Sequence, residues 1–491
     1  MKIYFAGAIR GGRDDAELYL QIIRHLKKFG TVLTEHVGDS VLSADGQKEF
    51  SDKYIHDRDM EWLLSSDVII AEVTKPSLGV GYEIARAIEN GKKVLCLYRK
   101  QEGKSLSAMI SGSDQVINKE YSVLSDAEDI INNFFINHYT NVYRNVTFAV
   151  VNSLEKVFAT GRKICTRGYE QTENLSQSLL IEKPNERVLV LPHRNNNIFI
   201  TIAETMWVLG GRDDMMYLSY YLPRAIDYSD DGKIWRGAYG PRLRNWKGTD
   251  QFEEVSKLLN NDRNTKRAVM SIFNPREDYV ESKDIPCNNW LNFIIRDNKL
   301  VLNVAVRAND IIWGFSGINS FEWSVLQEIM AYWTSSSIGH LGWFVSSMHV
   351  YKQHYSMAKK LVESFKGKTL YDFGFENAKF STVFSEFDDE LNNWFEIETK
   401  IRSNEKKVEK ELFKIKDHFL KNSLEMLYIY NQFLKNEPEK RIANLVEQLP
   451  ANDFKIAAIE FFSRKYKSRN LIQLTEKENN FFQFYWENKN Q

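Results

Sequence analysis

Cysteine is nearly absent from this 491-residue chain: Cys96, Cys165 and Cys287 are the three, with no close pairing spacing. That excludes a disulfide framework and a structural zinc site. Also missing is any run approaching ~20 apolar residues, so no membrane-spanning helix is expected. The opening Met1-Lys2-Ile3-Tyr4-Phe5 is too short an apolar run for a signal peptide, which makes a cytoplasmic enzyme the expectation. Charge of one sign is lacking too, the formal net charge being −1 at pH 7. No generally basic surface follows and no nucleic-acid partner is expected, although a local patch stays open. Nor is there a long Gly/Ser/Pro-rich linker, so neighbouring domains are expected to pack together. What is present is ordinary for a soluble fold, with 43 % hydrophobic and 27 % charged residues. The length allows about two to four domains at ~100–200 residues each.

Residues 1–137 alternate between two kinds of segment. Ile3–Gly7, Thr31–Thr34, Asp67–Val73 and Lys93–Tyr98 read as strands; Asp14–Phe29, Asp57–Ser65 and Gly81–Asn90 read as helices. The alternation predicts an α/β fold, a doubly wound parallel sheet with helices on both faces. Ligands of such sheets sit at the carboxyl ends of strands. Ala6-Gly7-Ala8-Ile9-Arg10-Gly11-Gly12 and Ser77-Leu78-Gly79-Val80-Gly81 fall there. The glycine spacing is not the dinucleotide fingerprint, but backbone amides with Arg10 can hold one phosphate. On the residues alone, Glu83 is a first-turn carboxylate favoured by the helix dipole, and Asp59 is a solvated helix residue.

Longer motifs sharpen both. Tyr4-Phe5-Ala6-Gly7-x-Ile9-Arg10-Gly11-Gly12-Arg13, Leu33-Thr34-Glu35-His36-Val37, Asp59-x-Glu61-Trp62, Ala71-Glu72-Val73-Thr74-x-Pro76-Ser77-Leu78-Gly79-Val80-Gly81-Tyr82-Glu83 and Leu106-Ser107-Ala108-Met109-Ile110 span nearly the whole segment. This set resembles the 2'-deoxynucleoside 5'-phosphate N-hydrolases, relatives of the nucleoside deoxyribosyltransferases. The resemblance implies that Glu83 attacks the anomeric carbon, Asp59 protonates the departing base and Tyr4 orients Glu83. It also implies that Gly7, Arg10, Ser77, Gly79 and a partner subunit's Ser107 surround the 5'-phosphate. Carboxylates on opposite sides of an oxocarbenium-like transition state are what such chemistry needs. Ala8 departs from the serine common in the family.

Residues 138–365 hold a second organising stretch. Cys287 opens an alternating apolar segment and Arg307 closes the next, with Arg296-Asp297-Asn298 as the turn between. A hairpin brings those ends together, and a guanidinium beside a thiol lowers its pKa. Residues 146–160 and Ile202–Leu209 read as helices, Ser178–Ile181 and Val188–Leu191 as strands, and Trp207, Trp290, Trp313 and Trp323 as core. Pro286-Cys287, Arg307-x-x-Asp310, Gly314, Asn319, His349-x-Tyr351, Glu204-Thr-Met-Trp207-Val-Leu-Gly-Gly211 and Ala238-Tyr239-Gly240-Pro241-Arg242 resemble, in order, the thymidylate synthase family, which includes pyrimidine-nucleotide hydroxymethylases.

That resemblance implies an α+β domain in which Cys287 adds to C6 of a pyrimidine monophosphate, making C5 nucleophilic toward 5,10-methylenetetrahydrofolate. It implies phosphate contacts from Arg307, Arg167 and a cross-dimer Lys266-Arg267 pair. Asn319 reads the base, His349 and Tyr351 the sugar, Glu204 relays protons, Tyr239 serves the C5-proton region and Asp310 meets the folate. Several positions depart from the pattern: Ala308 for serine, Lys266 for arginine, Asn288 for histidine, and one extra residue after Gly314. Arg224–Tyr228 stands where a tryptophan is usual. Methyl transfer needs a dry, closed pocket for hydride delivery, so these departures favour hydroxymethylation over methylation.

Residues 366–491 read as a helical extension without a motif. Phe413–Leu420 and Ile456–Phe462 show helical patterns, and Glu405–Glu411 reads as a solvated helix face. The combined expectation is a homo-oligomeric, bifunctional nucleotide enzyme that modifies C5 and then cleaves the N-glycosidic bond. The rival is a nucleotide-sensing or pool-depleting defence or regulatory protein, in which the synthase-like part only binds nucleotide.

Overall fold

Within β1 (Lys2–Ala6), consecutive side chains enter different cores. Ile3 and Phe5 join one apolar cluster with α1 (Ala16–Leu26) and α5 (Leu124–Tyr139). Tyr4 and Ala6 join another with α2 (Asp52–Ser65) and α3 (Leu78–Glu89). The same split recurs in β3 (Val68–Glu72) and β4 (Lys93–Arg99). A strand buried on both faces needs helices on both, so the near-continuous apolar runs fix a doubly wound sheet. With β2 (Thr31–Val32) and β5 (Val116–Tyr121) its order is β2-β1-β3-β4-β5, all parallel. The short α4 (Ala108–Ser111) precedes β5.

The computed structural model describes residues 2–9, 14–38, 50–101, 103–139, 141–466 and 471–486. It divides into two compact units, 1–140 and 141–491. No helix among the described residues is long and apolar enough to cross a membrane.

The second unit is built on a mixed sheet. Its strands are β6 (Val142–Tyr143), β7 (Arg162–Thr166), β8 (Tyr169–Ile181), β9 (Val269–Ser271), β10 (Asn288–Arg296), β11 (Lys299–Val306), β12 (Asn309–Asp310) and β13 (Ser337–Tyr351). The order is β6-β8-β13-β11-β10-β9, with β7 on β8 and β12 on β13. Helices α6 (Val146–Thr160), α7 (Ile198–Leu209), α8 (Met215–Tyr221), α9 (Tyr239–Arg244), α10 (Gln251–Asn261), α11 (Pro275–Asp278), α12 (Ser320–Trp333) and α13 (Tyr355–Ser364) follow in chain order. Beyond them come α14 (Phe384–Arg402), α15 (His418–Leu434), α16 (Glu439–Glu447), α17 (Asp453–Lys465) and α18 (Glu476–Trp486). These last helices share one apolar core with α7 and the sheet, through Phe199, Tyr430, Phe461 and Phe462.

Four local expectations are corrected. Val188–Leu191 is buried but is no strand, and the Val188 amide donates to the Tyr371 hydroxyl at 3.0 Å. The helix expected from Phe413 begins at His418, because the Asp417 side chain caps it by accepting from the Leu420 amide at 2.9 Å. Glu405–Glu411 is no α-helix face: Lys407 has φ 66° and a short 3₁₀ turn, Val408–Lys410, follows with Val408 buried. Of the four tryptophans, Trp207 and Trp323 are core, Trp290 is half-buried, and Trp313 is 38 % exposed with the Arg224 guanidinium 4.1 Å from its ring centre.

Candidate active sites

In the first unit the parallel register carries Tyr4 to the middle of the sheet, and α3 starts beyond the carboxyl end of β3. The Tyr4 hydroxyl donates to Glu83 Oε1 at 2.9 Å across 79 positions of sequence. Burial pushes the Glu83 carboxyl up to about 7; the Tyr4 bond opposes this and the Asp59 charge adds to it. Tyr4 is itself driven far up, by burial first and then by Glu83 and Asp59, so it acts as a donor only. Asp59 lies on α2, where Arg58 Nε and Nη2 donate to its Oδ1 at 3.0 and 2.9 Å. The Arg58 guanidinium rests 4.6 Å from the centre of the Trp62 ring. Tyr4, Glu83 and Asp59 thus form one electrostatic cluster.

Ser77 caps α3, its Oγ accepting from the Val80 amide at 3.4 Å, and Gly79 lies in the first turn. Gly7 follows β1, where an added Cβ would meet the Tyr19 ring and Val37 Cγ1 at 3.1 Å. Ser107 stands exposed at the start of α4. Arg10 lies outside the described residues.

In the second unit β10 and β11 form the hairpin. Asp297 and Asn298 have φ 49° and 58°, the twist-matched geometry of a two-residue turn. Asn288 pairs with Val306, so Cys287 and Arg307 meet at the open end, and the Arg307 amide donates to the Cys287 carbonyl at 2.9 Å. The Arg307 guanidinium donates to the Pro286 carbonyl at 2.9 Å and the Ile285 carbonyl at 2.6 Å, locking the thiol's loop. The expectation of a depressed thiol pKa is overturned. Arg307 and Arg167 both pull it down, but burial outweighs them and Asp284 adds to the rise. Arg167 sits at the tip between β7 and β8 with φ 50°.

Around the thiol, Asn288 Nδ2 donates to the Tyr239 hydroxyl at 2.7 Å, and Asn288 Oδ1 accepts from Trp323 Nε1 at 3.2 Å. Burial, then the charges of Cys287 and Glu322, drives Tyr239 far up. Glu204, on α7, is raised well above the carboxylate range by burial, with Glu322 and Asp284 adding. Asn319 is buried and donates to Glu322 Oε2 at 3.2 Å. The extra residue after Gly314 falls within Ile311–Asn319, which winds as a π-helix ahead of α12. A π-bulge is how a helix takes up one inserted residue.

Asp310 caps that segment, accepting from the Ile312 and Trp313 amides at 3.1 and 3.0 Å, and β12 pairs it with His349 of β13. His349 packs edge-on to Tyr351 at 5.1 Å, and burial lowers its pKa. Lys266 and Arg267 are exposed ahead of β9.

Three residues of this site went unread in the sequence, Glu322, Asp284 and Trp235, and Arg224 was read only as a departure from the family pattern. Trp235 Nε1 donates to Asp284 Oδ2, and Gly237 leaves no room for a Cβ beside that oxygen. Spacing carried a signal for two of them, since Glu322 lies one helical turn beyond Asn319 and Asp284 three positions before Cys287. No group of three or more His, Cys, Asp or Glu side chains that could hold a metal occurs among the described residues.

A parallel sheet with a carboxylate cluster at its carboxyl ends, and a mixed sheet presenting a cysteine beside arginines, define a class: nucleotide-processing enzymes. The nucleoside 2-deoxyribosyltransferase family matches residues 3–121 and the thymidylate synthase family residues 150–392. A putative 2'-deoxynucleoside 5'-phosphate N-hydrolase 1 of Nematostella vectensis is 56 % identical over 138 residues, 27 % of this chain and 93 % of its own length. The 5-hydroxymethyl-dUMP N-hydrolases of Tetraodon nigroviridis and Homo sapiens are 52 % identical over 141 residues and 54 % over 112. These cover 28 % and 23 % of this chain and 99 % and 64 % of theirs. The chain belongs to the 2'-deoxynucleoside 5'-phosphate N-hydrolase family through its first unit, with a thymidylate synthase family domain in its second.

Proposed function

We propose that this chain is a bifunctional nucleotide enzyme of the cytoplasm, with domains at 1–137, 138–365 and 366–491. The second domain performs folate-dependent C5 hydroxymethylation of a pyrimidine nucleoside monophosphate. The first hydrolyses the N-glycosidic bond of a (deoxy)nucleoside 5'-monophosphate to free base and sugar 5-phosphate. The observation that carries this reading is the Tyr4–Glu83–Asp59 cluster on the same chain as Cys287.

In the first domain ionised Glu83 attacks the anomeric carbon, Asp59 hands a proton to the departing base, and water then frees the sugar phosphate. Tyr4 favours the ionised form of Glu83 by donating to it. The 5'-phosphate rests on the Gly7 and Gly79 backbone, Ser77, Arg10 and Ser107 of the partner subunit.

In the second domain Cys287 adds to C6 and leaves C5 nucleophilic. Arg167 and Arg307, with Lys266 and Arg267 of the partner subunit, hold the phosphate. Asn319 meets the base edge, His349 and Tyr351 the sugar, and Glu204 and Tyr239 move protons at the ring. The residues fit a folate: Trp313 is 38 % exposed with Arg224 over its ring, Asp310 lies at the start of the same segment, and buried Glu204 Oε2 has no hydrogen-bond partner among the described residues. When bound, 5,10-methylenetetrahydrofolate supplies the one-carbon unit. A homodimer is supported by the open sheet face, where exposed Phe344 and half-buried Trp290 border a cavity of about 560 Å³.

The test is to incubate the protein with dUMP, dCMP and their ribo forms, with and without methylenetetrahydrofolate, and identify bases by mass spectrometry. Folate-dependent modified base is expected, with modified nucleotide accumulating in Glu83→Ala. Unmodified base released regardless of folate, and unaffected by Cys287→Ala, would instead establish a pool-depleting protein.

A further inference from the structure

Glu322 belongs to none of the motifs that carry the family likeness, yet it is hydrogen-bonded to Asn319, a residue assigned to the second site. It is 2 % exposed, one turn along α12 from Asn319. Asn319 Nδ2 donates to its Oε2 at 3.2 Å, so the amide and the carboxyl form a single polar edge. The other oxygen, Oε1, is buried with no hydrogen-bond partner among the described residues. The carboxyl acts electrostatically on Glu204 and Tyr239, two residues assigned to proton movement at the second site. Glu204 Oε2 also lacks a partner among the described residues. Arg224 is the cation that acts on Glu204, and the Asn319 amide is the donor that acts on Glu322.

A buried acceptor without a donor is uncommon in a folded protein, and a ligand that supplies the donor accounts for one. The two natural pyrimidines differ here at position 4. Cytosine offers an amino group, which donates; uracil offers a carbonyl, which accepts. Asn319 carries both a donor and an acceptor and can turn its amide to suit either base. Burial pushes the Glu322 carboxyl up to about 7 against the Asn319 bond, so above neutral pH the ionised form prevails; that form accepts only, and beside uracil O4 it sets acceptor against acceptor.

We propose that Glu322 is a base-reading residue whose Oε1 accepts the exocyclic 4-amino group of a cytosine nucleotide, making the second unit cytosine-directed. The assignment rests on the C5-modifying function proposed above and narrows its substrate. Asn319 alone leaves the base open, and Glu322 closes the choice.

The experiment measures folate-dependent release of tritium from C5-labelled dCMP, CMP, dUMP and UMP in the full chain, in a Glu83→Ala background so that no nucleotide is cleaved. Cytosine nucleotides are expected to exceed uracil nucleotides in kcat/KM by about tenfold or more, the scale of one hydrogen bond to a charged group. Glu322→Gln should shrink that ratio about tenfold, because an amide can present either an acceptor or a donor at Oε1. A purely structural role for Glu322 would lower both bases alike and leave the ratio unchanged, which would overturn the assignment. Uracil preferred by the Glu83→Ala protein would also overturn it, and that comparison needs no variant at Glu322. Absence of tritium release from every nucleotide, with base release intact in the natural chain, would overturn the synthase reading itself and this assignment with it.

Discussion

Tyr4→Phe isolates one hydrogen bond at the first site and leaves the ring packing in place. Glu83 is held at about 7 because burial outweighs the Tyr4 hydroxyl that donates to it at 2.9 Å. Removing a donor to a charged acceptor costs the charged form ~1.5–3 kcal/mol. At ~1.4 kcal/mol per pKa unit, the Glu83 midpoint should climb by about one to two units. The sign is fixed by the role: the nucleophile must be ionised, so base release rises with pH through about 7 in the natural chain. In Tyr4→Phe that rise should move to about pH 8–9. Near pH 6 the variant should therefore be ~10–100-fold slower, while above the new midpoint the two rates approach each other. Initial rates of base release from a deoxynucleoside monophosphate, followed by liquid chromatography between pH 5 and 10, decide it. Superimposable acid limbs would refute the idea that Tyr4 sets the ionisation of Glu83.

Other perturbations separate the two units. Gly237→Ala places a Cβ against Asp284 Oδ2 and should cut C5 modification by about tenfold or more, with base release from an already modified nucleotide unaffected. Asp453 is buried on α17, accepts from the Tyr371 hydroxyl at 3.0 Å and is pushed up to about 7 by burial. A carboxyl raised on folding stabilises at low pH and loses that contribution as pH rises from about 4 to about 7. Asp453→Asn should flatten this part of the melting temperature against pH, and an unchanged slope would count against it. Asn288→Ala removes the donor to Tyr239 and the acceptor for Trp323; it should lower kcat for C5 modification more than it raises KM for nucleotide.

The two sheets were unequally legible in the sequence. Runs such as Val68–Ala71 and Val94–Leu97 are apolar at every position, and only burial on both faces explains that, so the parallel sheet could be read directly. Strand β8 was seen only at its end. Its earlier half contains Gln171, Thr172, Glu173 and Asn174, all buried, and a hydrophobic pattern cannot reveal a strand that buries polar side chains. Three of those side chains, Thr172, Glu173 and Asn174, bond to residues distant in sequence, as when Ser347 donates to Glu173 Oε2 at 2.5 Å. The Cys287–Arg307 meeting followed from hairpin geometry, but the state of the thiol did not. The neighbouring Arg307 argued for a thiolate, and the desolvation that outweighs it exists only once the unit has folded around the sulfur. Glu322 escaped notice for a related reason: on a helix in sequence it is one more acidic residue, and its burial beside Asn319 is a property of the packed core.

Under the proposed reading, the chemistry also fixes the order in which the two sites act. Arginines at the second site need the 5'-phosphate to hold a pyrimidine in reach of Cys287. Cleavage at the first site separates the base from that phosphate, so a base released early has lost its handle and cannot be modified. C5 modification therefore precedes hydrolysis, and a first site that discriminated poorly against the unmodified nucleotide would drain its own supply. The first unit should accordingly favour the modified nucleotide in kcat/KM. Competition between a nucleotide and its 5-hydroxymethyl form in Cys287→Ala, where the second site is silent, measures that preference directly. Equal rates for the two would leave the fusion without an ordered pathway, and the tandem scheme would fall even if each site proved active alone.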